Sequence, residues 1–404
     1  MALVAPLGAG ENWPQFRGPD GQGHADANGL PLTWSETQNV VWKTAIPGRG
    51  WSSPVIEDDR IWLTTAADEG RSLRALCIHA TTGRIIHDIE VFRLDNPPPI
   101  NAKNSYASPT PIVDVGQVFV HFGTFGTACL DAQSGKILWK NRELRLDHKE
   151  GPGGSPALCG ELLIMICDGI DVQYVAALDR RSGSLRWKTD RSGPVNEDFD
   201  QRKAYSTPLL IDVNGQPQAV CVGADRVIAY DPATGAERWW AFFDGYSTVP
   251  RPVHGHGLVY FSTGYNSPEL WAIRADSVGN VTESGVVWRY MKQMPTNPSP
   301  ILVGSEIYVV SDRGVATCLD ALTGRDIWVA RLGGNYSASP IHAAGRIYFF
   351  SEDGETHVVR SGTQYELLAT NQLDGQFMAS PAVVGQALIL RTDTHLYRIE
   401  QGKP

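Results

Sequence analysis

No stretch of this 404-residue chain approaches the run of about 18 apolar residues that a membrane-spanning helix needs. Lysine and arginine form no block. They number 35 against 44 acidic residues, for a formal net charge of −9. An acidic chain without a basic stripe excludes nucleic acid and anionic membrane as expected partners. The six cysteines include no adjacent pair and no metal-like spacing, so six free structural thiols and no metal site are expected. The opening "MALVAPLGAGENW" has an apolar run with no basic residues before it, too weak a pattern for a secretory signal.

What the chain does have is 41 glycines, 26 prolines and a repeat. "LDAQSGKILW" at 130–139 returns as "LDRRSGSLRW" at 178, "YDPATGAERW" at 230 and "LDALTGRDIW" at 319. A Ser/Thr-Pro step opens seven units and a degenerate "VPRPV" the eighth, with prolines at 54, 109, 156, 208, 252, 300, 340 and 381. The spacing is that of four-stranded propeller blades, an architecture in which a chain this long needs no single large core. Proline cannot donate to a strand ladder, so it suits the inner edge of a blade, facing the channel. The Asp of the motif closes an Asx turn and its Gly takes the left-handed position. The Trp that follows (139, 187, 239, 328) lands on the outer strand as a wedge between blades. Cys77, Cys129 and Cys318 share one slot with Ala177 and Ala229, the mark of a small buried site.

The last unit stops after three strands, while "NVVWKTAIPG" at 39–48 reads as an outer strand without a blade. Residues 39–46 are therefore predicted to complete the eighth blade. The expected domains are an N-terminal arm, 1–38, packed over the ring by Trp13, Phe16 and Trp34, and an all-β eight-bladed propeller, 39–404. The "LDAxTGxxxW" copies and "SP" starts resemble the pyrroloquinoline-quinone-like (quinoprotein-like) repeat family, and in length its BamB-like members. The resemblance implies a periplasmic or otherwise extracytoplasmic binding or scaffold protein, and a monomer is expected. Its quinone-dependent dehydrogenases use an adjacent cysteine pair, a Glu/Asn/Asp calcium site and a base Asp. None of these has a clear match here, so no cofactor is expected.

Function should sit where the loops are long. Three blade junctions, 93–107, 141–154 and 189–205, exceed all others and open on one face. Their ends bring Arg49, Trp51, Lys103, Asn104, Tyr106, Arg202, Tyr246, Arg251, Asn297, Asn335, Tyr336 and Phe377 to the channel mouth as candidate ligand-binding residues. Aromatic and polar groups together there suit a glycan or protein ligand, or aromatics simply plugging the channel. His148, Glu150, Asp198, Asp200, Lys203 and Tyr205 are the candidate acid–base set. A Lys or Tyr base would suit a polysaccharide lyase and paired carboxylates a glycosidase, whereas solvated loop charges are the plain alternative. "HGH" at 254–256 reads as a turn on the opposite face.

Overall fold

The computed structural model describes residues 12–402. The described residues form eight blades of antiparallel strands, interrupted by two short 3₁₀ turns and no α-helix. No helix is long and apolar enough to cross a membrane. Blade 1 runs Val55–Glu57, Arg60–Ala67, Ser72–His79 and Ile85–Arg93 from the channel outwards, and the other blades repeat this order. Every inner strand starts on the residue after a proline: Val55, Ile112, Ala157, Leu209, Val253, Ile301, Ile341 and Ala382. The proline thus ends the irregular loop and opens the one strand whose edge has no blade partner.

The ring closes as the sequence predicts. Val40–Ala45 pairs antiparallel with His395–Glu400, with Trp42 opposite Arg398. The amino-terminal strand is thereby the outer strand of blade 8, and the sheet has no chain end to fray.

The repeated motif joins blades to one another. Asp131, Asp179, Asp231 and Asp320 each accept backbone N–H bonds from the turn two and three residues on. Each tryptophan then reaches into the turn of the next blade. The indole N–H of Trp139 donates to Arg180 O at 2.8 Å and that of Trp187 to Pro232 O at 3.0 Å. Trp42 bonds Ala80 O and Trp288 bonds Ala321 O in the same way. His87, in the tryptophan place of blade 1, puts its ring nitrogen 2.9 Å from Gln133 O. The indole lies on the turn glycine: a Cβ on Gly183 would come within 2.4 Å of Trp139, and one on Gly235 within 2.5 Å of Trp187. Glycine serves there twice, for a positive φ and for the absence of a side chain.

Blade 4 departs from this. Trp239 bonds Gln218 of its own blade, and the stretched turn of blade 5 lays Gly279–Asn280 parallel to Trp239–Trp240. The extra length that breaks the repeat in blade 5 is a strap over blade 4. All six cysteines are free thiols, and Cys77, Cys129 and Cys318 stand opposite the large residues Trp62, Phe119 and Tyr308 of the neighbouring strand.

Residues 1–11 of the arm lie outside the described residues. From Trp13 to Ala25 the arm packs against the inner strands. Trp13 bridges to Ile56, Pro14 O accepts Val113 N–H, Gln22 Oε1 accepts His254 N–H, and His24–Ala25 adds in parallel to Ile341–Ala343. These contacts fall near the short-turn end of the inner strands of four blades, so the arm plugs the channel from that face. The chain leaves along blades 7 and 8, where Trp34 stacks on Tyr348 and bonds Asn371.

A glycine pair separates the two demands on the turns. Gly183 and Gly116 both have φ +72°, but a Cβ on Gly116 meets nothing. Gly116→Ala is expected to cost only the left-handed backbone term, about 1–2 kcal/mol. Gly183→Ala must also displace Trp139, and its melting temperature should fall well below that of Gly116→Ala. Equal melting temperatures would remove the indole–glycine latch from the account.

Candidate functional site

With the short-turn face plugged, the channel becomes a blind cavity of about 600 Å³ open on the long-loop face. Its lower wall is a belt of hydroxyls: Ser53, Thr110, Ser155, Thr207, Ser299, Ser339 and Ser380. Each is the residue immediately before an inner-strand proline. The belt also ties the blades. Ser53 N–H donates to Thr110 Oγ1, Thr110 N–H to Ser155 Oγ, and Ser155 N–H to Thr207 Oγ1, at 2.8–3.0 Å. Arg251 N–H continues the series to Ser299, Ser299 to Ser339, and Ser339 to Ser380. Arg251 takes the eighth place in the belt. Phe16 of the arm is the floor.

Above the belt the wall is charged and aromatic. Lys203 is buried, donates to Asp200 O at 2.6 Å and to the Asp200 carboxylate, and lies 5.4 Å from the Tyr246 ring centre. Lys149 reaches the same carboxylate at 2.5 Å, and these two ammonium groups hold Asp200 below the usual carboxylate range. Asn101 donates to Glu150 at 2.8 Å, and Asn104 donates to its backbone oxygen. Lys103 pairs with Glu352 across the mouth at 2.7 Å. Trp51, Tyr205, Tyr246 and Tyr265 supply the aromatic faces, with Tyr246 and Tyr265 edge to face at 5.5 Å.

The predicted site residues divide. Trp51, Lys103, Asn104, Glu150, Asp200, Lys203, Tyr205, Tyr246 and Asn297 line the cavity. Asn297 is held by Asp312 at 2.6 Å. The others do not. Tyr336 is fully buried in the core beside His357, and Phe377 packs on Phe350. Both precede the proline step by several residues and turn into the blade instead of the channel. Arg251 is buried, and its guanidinium binds Phe16 O and Pro208 O. Tyr106 packs against Phe125 and donates to Pro98 O. Arg49 stacks on Trp51 from outside, Arg202 stacks on Phe199, and Asn335 is exposed away from the cavity. The aromatic recurrence before the proline therefore marks two different environments.

The acid–base set is largely spent on structure. His148 accepts the Thr124 N–H at 3.0 Å, and burial lowers its pKa to about 4, so it is a neutral acceptor. Asp198 accepts the Asp200 N–H that starts a 3₁₀ turn. The Tyr205 hydroxyl donates to His148 O, and burial pushes its pKa well up, which opposes a role as base. Both Lys203 and Tyr205 are buried, so they are not the loop-surface groups the sequence suggested. Among the described residues no three His, Cys, Asp or Glu side chains gather as a metal would need.

Sequence reasoning passed over the belt and the place of Phe16 at the cavity. The belt hydroxyls were visible as the "S" or "T" of each proline step, read only as strand starts. Phe16 was read only as an anchor of the arm on the ring, because nothing in the arm's composition says that it enters the channel.

The chain matches the family model for outer membrane protein assembly factor BamB over residues 25–142, 171–298 and 274–376. Outer membrane protein assembly factor BamB of Shewanella oneidensis is 22% identical over 314 residues, covering 70% of this chain and 72% of the relative. The crystal structure of BamB from Moraxella catarrhalis superimposes with a TM-score of 0.61 at 14% identity, covering 89% of this chain and 99% of that one. A europium-containing methanol dehydrogenase superimposes with a TM-score of 0.69 at 12% identity, covering 96% and 90%. At such identities the structural likeness carries the fold alone.

The buried histidines make a pH test. His121 is lowered to about 3 and His148 to about 4, chiefly by burial. An unfolded histidine titrates near 6.5. Between about pH 6.5 and 4 the unfolded chain binds protons that the folded chain refuses, so stability falls as pH falls through that window. Melting temperature should decline there, and less steeply in His148→Gln. A slope unchanged by that substitution would mean that His148 is not buried neutral.

Proposed function

The chain belongs to the outer membrane protein assembly factor BamB family, and from that premise we propose that it is an extracytoplasmic binding and scaffold propeller whose mouth cavity holds a saccharide. The observation that carries this reading is the lining itself. A blind cavity of about 600 Å³ combines hydroxyls and amides with the flat faces of Trp51 and Tyr246, as a small polar ligand with apolar faces requires. Its charged groups are tied to one another, Lys203 and Lys149 to Asp200 and Lys103 to Glu352, which supports holding a ligand in place over transforming it. A lyase or glycosidase would need a free base or a carboxylate couple at the cavity, and the Tyr205 hydroxyl and the Asp200 carboxylate are already engaged.

No quinone enters this reading. Among the described residues the donor set offers hydroxyls and paired charges, and no acidic cluster to seat the calcium ion that the dehydrogenases use. Those residues do not fit the group, and no step is routed through it.

Calorimetry against a panel of neutral and acidic oligosaccharides tests the proposal. Trp51→Ala and Tyr246→Ala should each weaken the best ligand by about 1–2 kcal/mol, with the melting temperature little changed, since both side chains are only partly buried. Lys203→Ala with Tyr205→Phe should instead lower the melting temperature, because Lys203 is the buried tie of the 189–205 loop. A panel in which no saccharide binds, or in which Trp51→Ala leaves affinity untouched, overturns the reading.

A further inference from the structure

Directly beneath the cavity floor lie two buried guanidinium groups. Arg17 and Arg251 are each 1% exposed. Arg251 donates to Phe16 O at 2.6 Å and Pro208 O at 2.9 Å. Arg17 reaches only Pro340 O, at 3.4 Å, and its Nε and Nη1 have no protein partner among the described residues. Neither group bonds a carboxylate. The acid nearest to both is Asp20, whose oxygens are taken by the His24 ring at 2.6 Å and the Gln22 N–H at 2.8 Å. Burial is the main force lowering both guanidinium pKa values, and Arg251 adds repulsion on Arg17. Two cations against one acid leave the base of the cavity positive in a low-dielectric interior, within a protein that is acidic overall.

The belt above faces the cavity with donors. Thr110, Ser155, Thr207 and Ser380 each accept one backbone N–H from the preceding blade. None of the four donates to a protein atom among the described residues, so their O–H groups are available to the cavity. The same bonds consume the backbone N–H groups of the belt at the base of the cavity, so an extended peptide finds no free donor there to pair with. Side chains must do the reading, which favours a saccharide.

We propose that the base of the mouth cavity is a carboxylate site, and that the saccharide it takes is one bearing a carboxyl group, of the uronic acid class. The carboxylate accepts hydrogen bonds from the belt hydroxyls. The Arg17–Arg251 pair behind the floor provides the preorganised positive field, without touching the ligand. The sugar rings lie upward against Trp51 and Tyr246. This proposal rests on the saccharide reading and adds the charge of the ligand to it.

The test compares each uronate trimer, galacturonic and glucuronic, with its own methyl ester, which keeps the shape and removes the charge. On the full-length protein the acid should bind about tenfold more tightly than the ester, the worth of a hydrogen-bonded charge. Arg17→Gln should reduce that ratio to about threefold or less while leaving ester affinity as it was. Ser380→Ala is a second variant, removing one belt donor, and should also weaken the acid but not the ester. Acid and ester binding alike would overturn the carboxylate site and leave the saccharide reading intact. Binding of neither, by any trimer, would overturn the site and count against the saccharide reading as well. A ratio unchanged in both variants would remove the belt and Arg17 from the explanation.

Discussion

At four of the eight blade junctions an indole of one blade lies flat on the turn glycine of the next, and the outer rim of the ring depends on that contact. The contact needs three things at once. The turn must be closed by an Asp so that its carbonyl points outward. The turn residue must be glycine so that the ring can approach. The outer strand must carry its tryptophan at a fixed distance from the blade's own turn glycine. The motif therefore reads in two directions: its Asp and Gly receive the previous blade and its Trp grips the following one. Copies of the motif link neighbouring blades at intervals around the ring, and closure by Val40–Ala45 brings Trp42 onto the Gly83 turn, so that blade 8 holds blade 1.

A second set of ties runs at the inner radius. Six of the seven hydroxyls before the prolines accept the N–H of the blade before them, so the belt holds the inner strands as the tryptophans hold the outer ones. Its bonds satisfy backbone donors that the missing edge partner would otherwise leave unpaired. With both radii fixed by short-range contacts, the junction loops carry little of the fold. They are free to vary in length, and the three long ones do so on one face. The arm then removes the opposite opening. A through-channel becomes a cavity with one entrance, a change of function produced by some two dozen residues outside the repeat.

How much of this was legible follows from what each residue answers to. The blade count, the strand starts, the cysteine slots and ring closure were all legible, because each is imposed by a local rule repeated eight times. The mouth residues were legible only in part. Trp51 and Tyr246 face the cavity, while Tyr336 and Phe377, at similar places before their prolines, face the blade interior. That choice depends on the backbone path of a loop with no repeated geometry. His148 looked like an acid–base group in a charged loop and is a neutral acceptor for Thr124 N–H, a contact between residues 24 positions apart. The strap from blade 5 and the course of the arm were invisible for the same reason: each obeys long-range contacts that no local period announces.

The departures from the repeat carry the remaining information. Seven belt positions hold serine or threonine, and the eighth holds Arg251. A hydroxyl there would have completed a uniform ring. The arginine keeps the backbone donor role toward Ser299 and sends its side chain to the arm, where it binds Phe16 O and fixes the residue that floors the cavity. Arg17 follows Phe16 in sequence and is drawn in beside it. One substitution in the repeat thus anchors the plug, sets the depth of the cavity and leaves an unneutralised charge beneath it. A feature that served closure alone could have used an apolar side chain at far lower desolvation cost. Two guanidinium groups kept in so dry a place make physical sense when the cavity above them is built to receive a negative charge.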